Sequence, residues 1–191
     1  VSAEVFPFAK VGGLADVAGA LPNALRDLGH AARLPMPLSR MIVDDPRLSL
    51  QKTLPKFSVR MNRHWSQTAI FKETEVDDLP VGFIGTDRWF TESVSSETLY
   101  TPGGIQHLFF CAAVLQSMEE LGWIPDVIHV NDWHTGFLPV LLRMRPSHIW
   151  QDVCSVFTIH NLAYQGEFGT EALDALDLPH RLFHYEHVEA Y

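Results

Sequence analysis

The sequence has 191 residues, 47% hydrophobic and 19% charged, with 12 glycines and 12 prolines; this belongs to a globular chain of one generous domain or two small ones, not to a disordered or fibrous one. A formal net charge of −9 argues against nucleic acid or an anionic membrane as the main partner, because both need a basic face. Cys111 and Cys154 lie far apart with no ligand spacing around them, so neither a disulfide framework nor a zinc site is expected.

Residues 1–6 read as the tail of a buried strand, and the closing His187-Val188-Glu189-Ala190-Tyr191 carries no stop signal, so a fragment cut at both ends is expected. Residues 14–28 predict a helix with Leu14, Val17, Ala18, Leu21, Leu25 and Leu28 on one stripe and Gly29 as its stop, kinked or restarted at Pro22. A short strand is expected over 31–36, then a meander of strands over 57–61, 68–72 and 81–85. Residues 87–102 are polar and predict the most mobile loop. A second long helix is predicted over 105–121, apolar at Ile105, Leu108, Phe109, Ala112, Leu115 and Met118. A strand over 126–130, a helix over 135–144 with Thr135 as N-cap, a buried-type strand over 153–159 and a short helix over 170–176 complete the pattern. No run approaches roughly 18 apolar residues and no signal segment opens the sequence, so a cytoplasmic protein is expected.

This alternation predicts an α/β fold, a Rossmann-like, doubly wound and mostly parallel sheet, whose ligands bind beyond the carboxyl ends of the strands. Three predicted strand ends carry polar clusters: Phe8-Ala9-Lys10-Val11-Gly12-Gly13, Asn131-Asp132-Trp133-His134, and His160-Asn161-Leu162-Ala163-Tyr164-Gln165-Gly166. All three should meet on one rim.

Gly12-Gly13 leads into a helix N-terminus, where backbone N–H groups and the helix dipole suit an anion, and Lys10 adds a full charge; the plainer alternative is a tight turn with a solvated lysine. The second strand ends without a carboxylate until Asp44, which weakens a dehydrogenase reading. Asp132 and Trp133 offer a carboxylate and an indole for a sugar's hydroxyls and its apolar face, or else a cap and a gap-filler. His129, Asp132 and His134 have no spacing that would force them together on a metal. His160, at a strand end beside Asn161, is placed to meet a sugar hydroxyl or a developing positive charge, although a structural role is the commoner one there. Asp132 and Glu167 would be the acid pair of a hydrolase, the weakest of the readings.

At these clusters the chain resembles the bacterial glycogen synthase and plant starch synthase family. The resemblance rests on Lys10-Val11-Gly12-Gly13-Leu14-Ala15-Asp16-Val17, on Ala20-Leu21-Pro22-Asn23-Ala24-Leu25 followed by Gly29-His30, on His129-Val130-Asn131-Asp132-Trp133-His134-Thr135-Gly136, and on Phe157-Thr158-Ile159-His160-Asn161-Leu162-Ala163-Tyr164-Gln165-Gly166. It implies the N-terminal half of a GT-B glycosyltransferase over residues 1–191, with the C-terminal domain absent. It further implies retaining transfer of glucose from ADP-glucose to the non-reducing end of an α-1,4-glucan, with no cofactor and no catalytic metal. Carried over by position, Lys10, Gly12 and Gly13 bind the donor, Asp16, Tyr100, Trp133 and Asn161 line the sugar and acceptor side, and His160 and Asp132 are catalytic. Val11 stands where the family has Thr, and the family's Tyr-x-Asp-Asn segment reads Tyr100-Thr101-Pro102-Gly103-Gly104, ending in His107-Leu108 where the family has Arg-Phe. Without the donor-gripping half, the fragment alone is expected to be inactive; a non-catalytic glucan-binding module is the alternative.

Overall fold

The predicted alternation of strands and helices is realised in two sheets rather than one. A computed structural model describes residues 1–95, 98–100, 103–144 and 147–188. In chain order the elements are α1 (Gly13–Asp27), β1 (Leu34–Pro37), α2 (Arg40–Val43), β2 (Phe57–Asn62), β3 (Trp65–Val76), β4 (Leu79–Gly85), α3 (Ile105–Glu120), β5 (Val127–Asn131), a 3-10 turn (Trp133–Thr135), α4 (Phe137–Met144), β6 (Cys154–Thr158) and α5 (Glu171–Ala175). The first sheet has the order β1-β4-β3-β2, with β1 parallel to β4 and the expected meander of β2, β3 and β4 antiparallel. β5 and β6 form a separate parallel pair. The α/β architecture is as expected, but parallel and antiparallel pairings are balanced and the sheet is divided between β1 and β5.

Two apolar clusters hold these layers. One surrounds α3, with Phe109, Phe110, Val114 and Leu115 completely enclosed against β2, β3, α4, α5 and Trp150. Within this cluster the Trp150 indole donates to Glu119 Oε1 at 2.7 Å. The other packs α1 and residues 5–9 on β1 and β4, through Val5, Phe8, Leu14, Met36 and Phe83. α3 is buried almost all round, including Gln106, His107 and Ser117, which is why its sequence shows little amphipathic contrast.

Several expectations are corrected. α1 continues through Pro22, which costs it one backbone hydrogen bond but no turn. Its buried face is Leu14, Ala15, Ala18 and Pro22, while Val17 and Leu28 of the predicted stripe face outward. In the loop over 87–102 Trp89, Phe90 and Leu99 are buried; Ser96, Glu97, Thr101 and Pro102 within it, and Glu189, Ala190 and Tyr191 at the close, lie outside the described residues. Thr135 does not cap α4, which starts at Phe137 after the 3-10 turn. β6 is not buried: Val156 and Phe157 are about half exposed, because β5 is its only strand partner among the described residues.

One close approach fixes α1 against the chain ahead of it. A Cβ built on Gly19 would stand 2.7 Å from the carbonyl oxygen of Phe6. Helix propensity alone makes Gly19→Ala stabilising by about 1 kcal/mol. The backbone oxygen cannot yield, so the substitution is expected instead to destabilise by about 1–3 kcal/mol, measured as a lower urea midpoint with an unchanged slope.

Candidate active site

An isolated bridge between Val5 and Ala9 folds residues 5–9 into a turn that delivers Lys10–Gly13 to the start of α1. Beneath this loop lies a buried carboxylate. Glu4 accepts hydrogen bonds from the backbone N–H of Val11 and, at 3.0 Å, of Gly12, and from the Tyr100 hydroxyl at 2.8 Å. The Gly12 amide expected to face an anionic ligand is therefore already met by the chain's own anion. Above the loop the space is open, since a Cβ on Gly12 or Gly13 would meet nothing within 4 Å. Lys10 is exposed and holds both oxygens of Asp16, at 2.6 and 2.7 Å. Such a solvated pair contributes little stability and leaves the ammonium free to turn to a competing anion.

The end of β5 is built as tightly. Asp132 has φ +55°, an unfavourable conformation for a residue with a side chain, and it is held there from several sides. Its N–H donates to Thr158 O at 2.9 Å, and its carbonyl accepts from Thr135 N–H at 3.1 Å. The fully buried Thr135 hydroxyl accepts from Asn131 N–H and donates to Asn131 O, both at 2.8 Å, closing the loop on itself. Asp132 Oδ1 then accepts the backbone N–H of His160 at 2.6 Å, and Asn131 Oδ1 lies 2.9 Å from His160 Nε2. A carboxamide oxygen can only accept, so Nε2 carries the proton in that bond.

Tyr100 joins the two halves. Its ring stacks on His134 at 4.3 Å, and burial, followed by the neighbouring Glu4 and Asp132 charges, holds its phenol protonated far above the ordinary range. Contacts thus run from the glycine loop through Glu4 and Tyr100 to His134, and two residues before His134 Asp132 holds His160: the second and third sequence clusters touch directly, and the first reaches them through Glu4 and Tyr100. His107 and His134 lie beneath it with ring centroids 4.9 Å apart. Among the described residues, neither His107 nitrogen has a hydrogen-bond partner, and His134 Nδ1 has none. Burial pushes His107 down to about 4; burial, then the nearby His107, pushes His134 down to about 2.

The other expected residues are disposed less directly. Trp133 is half-buried, with His134 and Phe168 beside its ring, and Gly166 lies so close that a Cβ there would stand 2.4 Å from the indole. That side of the ring is therefore closed to a sugar. Asn161 is exposed, its side chain accepting from Ala163 N–H at 3.0 Å, and Asp16 is tied to Lys10. His129 bonds Thr158, His134 is stacked on Tyr100 and Asp132 holds His160, so these three have separate partners. Glu4 goes unnoticed in the sequence, Asn131 and His107 stand there without a role, and Thr135 reads as a cap rather than a loop closer. An ionisable side chain inside the apolar run 1–6 was the available signal for Glu4.

A family model described as "Starch synthase catalytic domain" matches residues 1–191. The glycogen synthase of Clostridioides difficile (strain 630) is 38% identical over 197 residues, which take in 100% of this chain and 40% of that protein. Glycogen synthase 2 of Geobacter sulfurreducens is 36% identical over 196 residues, with coverage of 100% and 40%. Among solved structures, the catalytic domain of starch synthase IV from Arabidopsis thaliana bound to ADP and acarbose superposes with a TM-score of 0.86 at 26% identity, covering 98% of this chain and 38% of that one.

Two outcomes follow from the site's polar accounting. Glu4→Ala strands the amides of Val11 and Gly12 and should cost about 1–3 kcal/mol, with amide exchange at those two residues accelerating more than in the core. His107 and His134 have folded pKa values below the unfolded value, so their contribution to stability is complete above about pH 6.5 and is lost as pH falls toward the folded values. His107→Phe should therefore reduce the slope of unfolding free energy against pH between 6 and 4.5 by about 1.4 kcal/mol per pH unit, read from urea titrations across that range.

Proposed function

The chain belongs to the starch synthase catalytic-domain family, and on that premise we propose that it forms one wall of a retaining glucosyltransferase site that uses ADP-glucose to extend an α-1,4-glucan in the cytoplasm. It spans 40% of the length of the curated relatives described above, so the opposite wall and much of the donor grip are assigned to polypeptide beyond it. The observation that carries the reading is the path from the open space over Gly12 and Gly13, through Glu4 and Tyr100 to His134, and along the chain to Asp132, which holds His160.

In the proposed reaction the donor diphosphate approaches over Gly12 and Gly13, where no side chain intervenes, and draws Lys10 away from Asp16. The released Asp16 carboxylate, with Asn161, then faces the acceptor. The bond from the anomeric carbon to the phosphate oxygen breaks as the acceptor hydroxyl bonds that carbon on the same face, and the hydroxyl proton passes to the departing phosphate oxygen. His160, fixed by Asp132 at its N–H and by Asn131 at its ring, stands beside the positive charge that develops at the anomeric carbon. Positioned groups of this kind act by needing no rearrangement when the charge appears. Tyr100 is assigned to the floor of the sugar pocket, with its hydroxyl committed to Glu4, and Trp133 supports that floor from its own packed position.

The 191-residue chain alone is expected to make no glucan from ADP-glucose. In the longer protein, Lys10→Ala is expected to lower kcat/KM for ADP-glucose by about 100-fold, roughly 2.7 kcal/mol, with little change in glucan binding. Ordinary turnover by the isolated chain, or unaltered donor kinetics in the variant, would overturn the assignment. Glucan binding without any donor use in the longer protein would favour a non-catalytic glucan-binding module.

A further inference from the structure

The turn over residues 5–9 carries two phenylalanines with opposite fates. Phe8 is buried, its ring meeting Phe83 of β4 edge-on at 5.2 Å. Phe6 faces solvent and is 57% exposed. Its backbone is nevertheless pinned. Val5 and Ala9 exchange both backbone hydrogen bonds at 2.9 Å, and Phe6 N–H donates to Ala15 O of α1 at 3.0 Å. Gly19, one turn further along α1, leaves room for the Phe6 carbonyl that no side chain could leave. The ring is thus presented from a fixed backbone beside the first turn of α1, which also carries Asp16.

Lys10 reaches back to that ring. Its ammonium lies 5.7 Å from the Phe6 ring centroid while both oxygens of Asp16 hold it at 2.6 and 2.7 Å. An aromatic face attracts a cation out to about 6 Å, so this contact is made near the limit of its range. It is also weakened by water, which reaches the ring, the ammonium and the carboxylate alike.

Two changes strengthen the ring's share. An ammonium that leaves Asp16 is free to settle nearer the ring face, and a ligand covering the loop excludes the water that weakens the attraction. An interaction draws a ligand in only by its difference between the two states, and this one is stronger in the bound state. A second carboxylate in the place of Phe6 would hold the lysine by cancelling its charge. The ring holds it with the charge intact, still available to an incoming anion. The Val11 side chain, also about half exposed, offers the ammonium no oxygen either.

We propose that Phe6 is a positioning residue for Lys10: its ring receives the ammonium released by Asp16 and keeps it beside the glycine loop, where a donor diphosphate takes it up. That role rests on the donor contact proposed for Lys10 above and adds the group that keeps the lysine in reach. Without the ring, a long side chain freed from Asp16 spreads over many rotamers, and ordering it again counts against binding. With the ring, part of that ordering is already done when the donor arrives.

The test is a double-mutant cycle in the longer protein, with Phe6→Leu, Phe6→Trp and Lys10→Ala made singly and in combination. Leucine keeps apolar bulk but has no aromatic face, whereas tryptophan offers a larger one. Phe6→Leu is expected to lower kcat/KM for ADP-glucose about threefold. The loss should lie in the donor KM, with kcat, the glucan KM and the thermal midpoint unchanged. Phe6→Trp should match or exceed the parent. In the Lys10→Ala background Phe6→Leu should have no further effect, because the ring then has nothing to hold. Where turnover in that background is too low to read, the same cycle is run on ADP affinity by calorimetry. If leucine lowers the thermal midpoint, Phe6→Met takes its place. Unaltered donor kinetics in Phe6→Leu beside a loss in Lys10→Ala would overturn the role of Phe6 and leave that of Lys10 standing. An equal loss in both backgrounds would overturn it too, because the ring would then be touching the donor itself. So would a tryptophan variant no better than the leucine one. Unaltered donor kinetics in Lys10→Ala would remove the donor contact on which both roles rest.

Discussion

One buried carboxylate sets the geometry on which the rest of the site depends. Glu4 lies under the glycine loop and is met by two backbone N–H groups and a phenol. A charge out of water is tolerable only if its lone pairs are filled by fixed donors. Those donors must therefore stay where they are: Val11 and Gly12 at the entry to α1, and Tyr100 at the far side. Fixing Tyr100 fixes the ring on which His134 stacks. His134 follows Asp132 by two residues, so the same constraint reaches the loop that holds His160. The carboxylate acts through position, and its presence where an anion was expected means that a diphosphate would meet the loop from its open outer side.

A second constraint opposes it from the other end. Asp132 adopts a left-handed backbone conformation that costs of order 1 kcal/mol or more. The surrounding bonds over-determine it, with Thr135 and Asn131 locked to each other and Asp132 tied to both Thr158 and His160. What the strain achieves is direction. It turns the carboxylate back across the end of β6, so that one of its oxygens grips the His160 amide. Two loops from non-adjacent parts of the sequence are joined by that hydrogen bond and by the one between Asn131 Oδ1 and His160 Nε2, and His160 is positioned by β5 as much as by its own strand.

The meander, the long buried helix and the three polar strand ends were legible because each rests on local patterning: alternation in β2, an apolar run in α3, and turn chemistry after β5. The failures share one cause, which is that burial is decided by distant partners. The α1 stripe was misplaced because the layer beneath includes residues 5–9, whose backbone oxygen comes too near Gly19 for any side chain. β6 reads as a buried strand because it is apolar, yet exposure depends on whether a neighbour covers it. Thr135 stands at a typical cap position, but its hydroxyl found closer partners in Asn131. Trp133 had the composition of a sugar platform, and only Gly166, more than thirty positions away, closes that side of its ring.

Under the proposed function, the same arrangement accounts for how an acidic chain would receive an anionic donor. A net charge of −9 repels a diphosphate at long range, but within a Debye length the local pattern decides. At the mouth of the site the negative charges are already engaged: Glu4 by three donors, Asp132 by the His160 amide, Asp16 by Lys10. In the proposed exchange of Lys10 from Asp16 to a phosphate, one exposed ion pair would be replaced by another that includes a doubly charged partner. In the proposed reaction Asp16 is uncovered only after the donor has arrived, which would order the two substrates. Under that proposal Lys10 acts as a gate for one carboxylate, Asp16, while Glu4 and Asp132 stay held by their fixed donors.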